Sequence, residues 1–313
     1  MAVLDKERFQ GRDFICLQHF TPDEILHMLS VAKELKEERK AGIPHPVLLG
    51  KNMAMIFTKS STRTRVAFEA GMLQLGGHAL FLSNRDIQIG RGEPIKDTAR
   101  VLSRMVDGIM IRTHSHQEVL ELAEYSSVPV INGLSDLLHP TQVLADLLTI
   151  QEHKKQLKGL KLTFIGDGNN MAHSLMFAGK MGMHVVISSP EGYKPDPKIV
   201  AQAKIEAEKG GGAVEWMQDP VEAAKGADIL YTDVWASMGQ EEEAAIRMKA
   251  FNTYRIDSGT LKLAKSDAIV LHCLPAHRGE EITDEVMEGP QSVVFDEAEN
   301  RLHAHKAIMA LLL

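Results

Sequence analysis

The chain has 313 residues, a formal net charge of −7 at pH 7, 44% hydrophobic residues and 25% charged residues. This composition is typical of a globular protein long enough to form two domains with separate cores. The negative charge argues against nucleic acid as the main partner, because no broad basic field is available. No stretch approaches the ~20 apolar residues of a membrane span, and charges stand where a signal peptide needs an apolar run. We therefore expect a cytoplasmic protein with no membrane partner.

The two cysteines lie far apart in the sequence, at Cys16 and Cys273. Neither belongs to a C-x-x-C pair or to a Cys/His spacing typical of a zinc site. We expect both to be reduced thiols and expect no structural zinc.

The order of predicted elements indicates the fold class. Residues 21–41 begin with Thr21 and have Glu24 three residues later, a capping box that predicts an amphipathic helix. Strands and helices then alternate, and the alternation restarts after the charged segment 152–159. Such alternation predicts parallel sheets with right-handed crossovers. We expect an α/β protein of two doubly wound domains, residues 1–150 and 151–313, ending in a strand-like run and a helix from residue 292.

The most informative stretch is residues 52–77. An apolar run is followed by the polar turn Ser60–Arg65, and then by apolar residues at helical spacing. This pattern predicts a strand, a tight turn and a helix ended by Gly76-Gly77. The free N–H groups and the dipole at the start of such a helix attract anions. Four hydroxyls and the guanidiniums of Arg63 and Arg65 add donors suited to phosphate oxygens. A simple helix cap flanked by solvated arginines is the less favoured alternative, because a cap needs only one hydroxyl.

Further candidates lie where predicted strands end. Arg112 closes the buried strand DGIMIRTH, and His139-Pro140 and Gln142 open a long helix. Open α/β sheets bind ligands at the carboxyl ends of their strands. From the residues alone, Arg112 fits a site or a side chain leaving the sheet for solvent about equally well.

The glycine-rich turn 164–171 raises a nicotinamide-dependent dehydrogenase as an alternative. The turn has G-x-G after a strand, but Met171 takes the place of the third glycine. The next strand ends in Ser188-Ser189, where a ribose-binding carboxylate is expected. The pattern therefore disfavours a dinucleotide. Asn169 and Asn170 instead offer amides that suit an amino acid or simply cap the helix.

Two more groups of polar residues follow strands in the second half. Asp233 comes before Ser237-Met238-Gly239, and His272-Cys273-Leu274-Pro275 follows the next predicted strand. An aspartate can hold an ammonium group, and a glycine lets a loop fold over a ligand. The alternatives are a capping aspartate and a cysteine that is a small core residue.

In chain order these motifs read S-T-R-T, H-P-T-Q, G-D-G-N-N, D-x-x-x-S-M-G, H-C-L-P and E-N-R. Together they resemble the aspartate/ornithine carbamoyltransferase superfamily over nearly the whole chain. The D-V-W-A-S-M-G and H-C-L-P motifs resemble the ornithine branch in particular. The resemblance implies transfer of the carbamoyl group of carbamoyl phosphate to the δ-amine of L-ornithine, giving L-citrulline and phosphate in arginine metabolism, arginine biosynthesis included.

The resemblance also implies roles for individual residues. Domain 1–150 would be the carbamoyl-phosphate-binding domain. The carbamoyl-phosphate site would comprise Ser61, Thr62, Arg63, Thr64, Gln88, Arg112, His139 and Gln142, completed by Cys273, Leu274 and Arg301. Ornithine would bind to Asn170, Asp233, Ser237 and Met238 of domain 151–313. Catalysis would fall to Arg112, His139, Cys273 and Asp233. The last helix, about 299–313, would pack back on the first domain, and Gln88 would reach a neighbouring subunit in a homotrimer or an assembly of trimers. No metal or organic cofactor is implied.

Two further alternatives stay open beside the dehydrogenase. One is a carbamoyltransferase with another amine acceptor, such as putrescine, although Asn170 and the Ser237 loop favour an acceptor with a carboxylate. The other is an amino-acid-binding or regulatory protein that has the fold without turnover, although every expected catalytic residue type is present.

Overall fold

Two parallel β-sheets form the framework of the protein, one in each of two compact units of the chain. The computed structural model describes residues 4–236 and 243–313. The first unit comprises Met1–Leu148 with Glu299–Leu313, and the second comprises Thr149–Ala298. Among the described helices, none combines the length and the apolar character needed to cross a membrane.

The first unit contains a four-stranded sheet in the order β2-β1-β3-β4, with every pair parallel. Its strands are Asn52–Phe57 (β1), His78–Ser83 (β2), Gly108–Arg112 (β3) and Val130–Leu134 (β4). Its helices are Lys6–Phe9 (α1), Pro22–Lys40 (α2), Thr62–Gln74 (α3), Ile95–Leu102 (α4), His116–Tyr125 (α5) and Pro140–Lys154 (α6), the last of which continues past Leu148. Strands β3 and β4 are buried along their whole length, as expected for a parallel sheet covered on both faces.

The second unit contains a five-stranded parallel sheet in the order β7-β6-β5-β8-β9. Its strands are Lys161–Ile165 (β5), His184–Ser188 (β6), Ala213–Met217 (β7), Ile229–Thr232 (β8) and Ile269–His272 (β9). Its helices are Asn170–Met176 (α7), Pro197–Gly210 (α8), Pro220–Ala224 (α9), Ala244–Ala250 (α10), Ser258–Leu261 (α11) and Asp284–Met287 (α12). The predicted α/β class with two parallel sheets is confirmed.

The capping box predicted for residues 21–41 forms as expected. The Thr21 hydroxyl accepts the backbone N–H of Glu24, and the Glu24 carboxylate accepts the backbone N–H of Thr21. The predicted strand-like run from residue 292 is wrong. Ser292 makes only an isolated bridge to Val270, and the helix Val294–Leu312 (α13) begins two residues later. The Val293 N–H still donates to the Val270 carbonyl at 3.0 Å, but the pairing ends there because helical backbone bonds begin with α13.

Helix α13 changes units along its length, because Glu299–Leu313 belongs to the first unit. There it packs closely on α3. A Cβ atom added at Gly71 would lie 2.8 Å from the Met309 methyl group, and the rings of Phe68 and His305 stack with centroids 4.2 Å apart. This packing brings the side chain of Arg301 to the start of α3.

Candidate active site

The turn between β1 and α3 is the centre of the polar cluster in the first unit. Ser61 caps α3, and its hydroxyl accepts the backbone N–H of Thr64 at 3.2 Å. The backbone N–H of Thr58 donates to the Arg112 carbonyl at 3.0 Å, which keeps the end of β1 beside the end of β3. The first turn of α3 therefore lies beside the strand end that carries Arg112.

The hydroxyl of Thr64 accepts hydrogen bonds from two guanidinium groups. Arg112, at the end of β3, donates to Thr64 Oγ1 at 3.3 Å, and Arg301 of α13 donates to the same oxygen at 2.7 Å. All three residues are buried. Guanidinium groups brought together in this way are donors that suit an anion such as phosphate.

The neighbouring arginines of the motif differ in their contacts. Arg63 is half-buried, and its buried Nε atom has no hydrogen-bond partner within the described residues. Arg65 is exposed, donates to Glu69 at 3.0 Å and lies over the Phe81 ring at 3.6 Å. The expectation that both guanidiniums serve one anion is therefore not met by Arg65, because Glu69 already neutralises it. Thr62 is exposed at the first position of α3.

His139 and Gln142 lie at the start of α6, and both are buried. Burial, and then the positive charges of Arg301 and Arg112, hold the pKa of His139 well below its ordinary value. The imidazole is therefore neutral at pH 7, so it offers a hydrogen bond without a positive charge. The Gln142 amide nitrogen donates to Asp146 at 2.8 Å, which leaves the Gln142 carbonyl as the acceptor directed elsewhere.

Lys59 is a candidate residue that the sequence reasoning missed. It lies close enough to His139 for its charge to lower the pKa of that histidine. Its signal was present in the sequence, since Lys59 comes two residues before Ser61 in the same polar turn.

Gln88 occupies a different part of the first unit. It is exposed and opens the 3-10 turn Gln88–Arg91, where its carbonyl accepts the backbone N–H groups of Gly92 and Glu93.

In the second unit, Asp233 and Cys273 lie close together. Asp233 follows β8 and Cys273 follows β9, and these strands are hydrogen-bonded neighbours. One ligand atom each of Asp233, His272 and Cys273 lies within 4.8 Å of the others. A carboxylate and a thiol therefore lie close together at one edge of this sheet.

A buried network fixes the loop that carries Cys273 and Leu274. His272 Nδ1 accepts the backbone N–H of Leu274 at 2.9 Å, so the ring proton is on Nε2, which lies 3.0 Å from Glu281. Glu297 accepts the backbone N–H of His272 at 2.8 Å and the Tyr231 hydroxyl at 3.0 Å. Leu274 has φ +56°, a left-handed conformation that costs about 1–3 kcal/mol outside glycine. This network therefore orients the backbone on both sides of Cys273.

The glycine-rich turn after β5 is closed by neighbouring backbone. A Cβ atom at Gly168 would lie 2.3 Å from the Pro195 nitrogen, and the Gly168 N–H donates to the Tyr193 carbonyl at 2.9 Å. Asn169 caps α7 by accepting the backbone N–H of Met171 at 2.9 Å. Asn170 is half-buried at the first position of α7. Gly168 therefore serves close backbone packing, which weakens the dinucleotide interpretation further.

Two predicted residues, Ser237 and Met238, lie outside the described residues. Two groups among the described residues have the composition of a metal site: Asp233 with His272 and Cys273, and His277 with Glu280 and Glu281. The first coincides with the predicted substrate site.

Comparison with known proteins decides the family. Residues 12–152 match the model described as the carbamoyl-P binding domain of aspartate/ornithine carbamoyltransferase, and residues 158–312 match the Asp/Orn binding domain of the same family. The chain belongs to the aspartate/ornithine carbamoyltransferase family.

Individual relatives are similar over nearly their whole length. An ornithine carbamoyltransferase of Pyrococcus abyssi is 58% identical over 305 residues, covering 97% of this chain and 96% of the relative. A protein of Pyrococcus furiosus named as an anabolic ornithine carbamoyltransferase is 56% identical over 304 residues, with the same two coverages. The solved ornithine carbamoyltransferase structure from Pyrococcus furiosus superposes with a TM-score of 0.94 at 56% identity and covers 97% of each chain.

Each of the two family domains contains one of the two sheets. The family domains and the compact units differ in where they place helix α13. The Asp/Orn binding domain includes α13 by sequence, whereas Glu299–Leu313 folds with the first unit. Arg301 therefore belongs to the second family domain in sequence and contacts Thr64 of the first in space.

Proposed function

We propose that the protein is an ornithine carbamoyltransferase, which transfers the carbamoyl group of carbamoyl phosphate to the δ-amine of L-ornithine and gives L-citrulline and phosphate. The observation that carries this proposal is the buried hydroxyl of Thr64, which holds the guanidiniums of Arg112 and Arg301 beside the start of α3. Bidentate guanidiniums and helix N–H groups are the donors that a phosphate requires.

Carbamoyl phosphate is assigned to the first unit. Its phosphate is placed against the motif residues Ser61, Thr62, Arg63 and Thr64, and its carbamoyl group against Arg112, His139, Gln142 and Arg301. Since the Gln142 amide nitrogen donates to Asp146, its carbonyl suits the carbamoyl NH₂ group. Lys59 adds positive charge near His139.

Ornithine is assigned to Asn170, Asp233, Ser237 and Met238 of the second unit, with Cys273 and Leu274 on the carbamoyl side. The Asp233 carboxylate suits an ammonium group. The nearness of Cys273 and His272 to Asp233 supports a role for the thiol at the same edge of the sheet.

The chemistry places two demands on these residues. The δ-amine must attack unprotonated, yet with a pKa near that of lysine, ~10.4, on the order of one molecule in a thousand is neutral near pH 7, which costs roughly 4 kcal/mol. Burial lowers such a pKa, and the departing phosphate is a base able to take the proton. The carbonyl oxygen also develops negative charge, and donors such as Arg112 and neutral His139 stabilise it by ~2.7–4 kcal/mol each in well-studied enzymes. Neither demand calls for a metal or organic cofactor.

The proposal is tested by offering carbamoyl phosphate with ornithine, putrescine or aspartate and measuring carbamoylated product together with released phosphate. Citrulline from ornithine alone is the expected result. Faster turnover of putrescine would overturn the assignment of Asn170 and the Ser237 loop to an acceptor carboxylate. Absence of turnover with every amine would favour a binding protein.

We further propose a cytoplasmic homotrimer, or an assembly of trimers, that works in arginine biosynthesis. Exposed apolar residues support self-association: on α3, Val66 is 57% and Leu73 is 75% exposed, and Leu80 is exposed on the edge strand β2. Gln88 is exposed in the loop that follows β2 and is assigned to the site of a neighbouring subunit. The name of the Pyrococcus furiosus relative supports the biosynthetic direction.

A further inference from the structure

Arg247, on the short helix α10, is a buried cation that the proposed chemistry does not use. It is only 7% exposed. Its Nη1 atom donates to the Asp167 carboxylate at 2.7 Å and to the Trp235 carbonyl at 3.0 Å, and its Nε atom donates to Glu243 at 3.2 Å. The guanidinium also lies 4.9 Å from the centre of the Tyr193 ring. Four contacts therefore fix one side chain.

These contacts join two separate turns of the second unit. Asp167 lies in the turn after β5, three residues before Asn170, and Trp235 lies two residues after Asp233 in the turn after β8. Strands β5 and β8 are hydrogen-bonded neighbours in the sheet. A single guanidinium nitrogen thus connects the turn that carries Asn170 with the turn that carries Asp233.

The positive charge of Arg247 matters as well as the hydrogen bonds by which it joins the two turns. Asp167 is nearly buried, and burial, with a smaller contribution from the negative charge of Asp233, raises the pKa of its carboxyl group despite the opposing effect of Arg247. Removing one partner of a buried ion pair leaves the other charge uncompensated. Without Arg247, Asp167 would either take up a proton or repel Asp233.

We infer that Arg247 is a positioning residue for the amino-acid substrate, because it holds Asn170 and Asp233 at the separation that ornithine requires. The inference rests on the proposed assignment of ornithine to these two residues. It differs from a purely structural role, which would weaken the fold without distinguishing the two substrates.

The test compares Arg247→Met and Arg247→Lys with Lys249→Met, which removes one positive charge from an exposed position of the same helix. In Arg247→Met we expect the KM for ornithine to rise about 10-fold to 100-fold, the range for loss of a charged hydrogen bond. The KM for carbamoyl phosphate should stay within about twofold. Arg247→Lys should recover part of the loss, since it restores the charge without the fork. Lys249→Met should match the unmodified enzyme.

A second measurement separates binding from chemistry. L-Norvaline has the carbon chain and α-groups of ornithine but no δ-amine, so its Kd at saturating carbamoyl phosphate reports substrate placement alone. We expect its Kd to rise in Arg247→Met by about the same factor as the KM for ornithine.

Two outcomes would overturn the inference: an ornithine KM within about twofold of the unmodified value, or equal losses for both substrates. If Arg247→Met does not fold, Asp167→Asn replaces it as the test variant. This change keeps the shape and an acceptor oxygen of the side chain while removing the charge paired with Arg247. An unchanged norvaline Kd in Asp167→Asn would overturn the inference. The variant Asp233→Asn shows whether the ornithine assignment or the positioning role of Arg247 is wrong. An ornithine KM within about twofold of the unmodified value in Asp233→Asn would remove the ornithine assignment, whereas a raised KM there beside a normal Arg247→Met would remove only the role of Arg247.

Discussion

At the scale of single residues, the Thr64 hydroxyl is the group that most determines how the polar cluster of the first unit is arranged. It is a small neutral group, yet the guanidiniums of Arg112 and Arg301 both donate to it. Those two arginines are 189 positions apart in the sequence, on β3 and α13. Like charges repel each other, and a shared hydrogen-bond acceptor keeps the two side chains together. Thr64 therefore holds the two cations that we assign to carbamoyl phosphate.

We expect Thr64→Val, which keeps the shape and removes the hydroxyl, to lower kcat/KM for carbamoyl phosphate by about 100-fold or more. Two charged hydrogen bonds are lost, each worth about 1.5–3 kcal/mol. Steady-state kinetics with carbamoyl phosphate as the varied substrate measures the effect. Thr64→Ser keeps the hydroxyl and should retain most of the activity. Equal activity of the valine and serine variants would show that the hydroxyl does not organise the site.

The two arginines of the polar turn allow a matched comparison. Arg63→Met should reduce turnover by about 100-fold or more, because it removes a charged donor assigned to the phosphate. Arg65→Met removes the same charge two residues away but breaks only an exposed ion pair with Glu69, worth about 0.3–0.5 kcal/mol, and a contact with Phe81. Its turnover should stay within about threefold. Similar losses in the two variants would mean that general charge, and not the position of Arg63, matters.

At the scale of elements, the sequence predicted those with strong local signals. The capping box at Thr21 and the polar turn before α3 are set by neighbouring residues, and both form as predicted. Helices α1, α5, α10, α11 and α12 were not predicted. All five have four to ten residues, and α1, α11 and α12 make about one turn each, too short to show a periodic pattern. Their stability comes from tertiary packing, which a sequence pattern does not report.

The apolar spacing on α3 shows a second limit of pattern reasoning. Val66 and Leu73 are among the apolar residues at helical spacing that predict this helix, yet both are exposed, whereas Phe68 and Met72 are buried. A periodic pattern identifies a helix but does not tell which apolar face meets the core when both faces carry apolar residues.

Helix α13 should make the fold sensitive to acid through His305. This residue is fully buried against Phe68, and neither ring nitrogen has a hydrogen-bond partner among the described residues. Burial, and then the charge of Arg301, hold the pKa of His305 well below its ordinary 6.5. Below pH 6.5 the unfolded chain therefore binds more protons than the folded chain does. The contribution of this histidine to the free energy of unfolding is thus full above pH 6.5 and is lost as the pH falls. The loss amounts to at most about 1.4 kcal/mol per pH unit.

His305→Leu should remove this dependence. Because two unpaired buried nitrogens disappear, we expect the variant to be about 1–3 kcal/mol more stable than the parent at pH 7.5, and the difference to grow as the pH falls from 6.5 to 5. Urea unfolding at several pH values measures it. His78→Leu, at an exposed position of β2, provides the control, because solvent surrounds that ring in both states. A stability difference for His305→Leu that stays constant with pH would contradict the prediction.

At the scale of the whole molecule, the motifs predicted which residue types gather at the strand ends, and the sheet order explains why. Arg112 ends β3, and Asp233 and Cys273 directly follow β8 and β9, so all three lie on the carboxyl edges of their parallel sheets. Residues such as Glu281 and Arg247 could not be assigned in advance. They act through partners 9 and 80 positions away, and one sequence carries no sign of such pairings.

Self-association is the last property that we predict, and the prediction comes from apolar residues exposed on the surface. Leu73 is 75% exposed on α3 of the first unit, and Ile205 is 54% exposed on α8 of the second. If α3 and the β2 edge face a neighbouring subunit, Leu73→Glu places a charge in an apolar contact and should dissociate the proposed trimer, whereas Ile205→Glu should leave that assembly intact. Sedimentation velocity measures both. Since Gln88 is assigned to a neighbour's site, dissociated Leu73→Glu should also lose turnover, and activity should return at high protein concentration as subunits reassociate. Fully active monomers would show that each chain completes its own site.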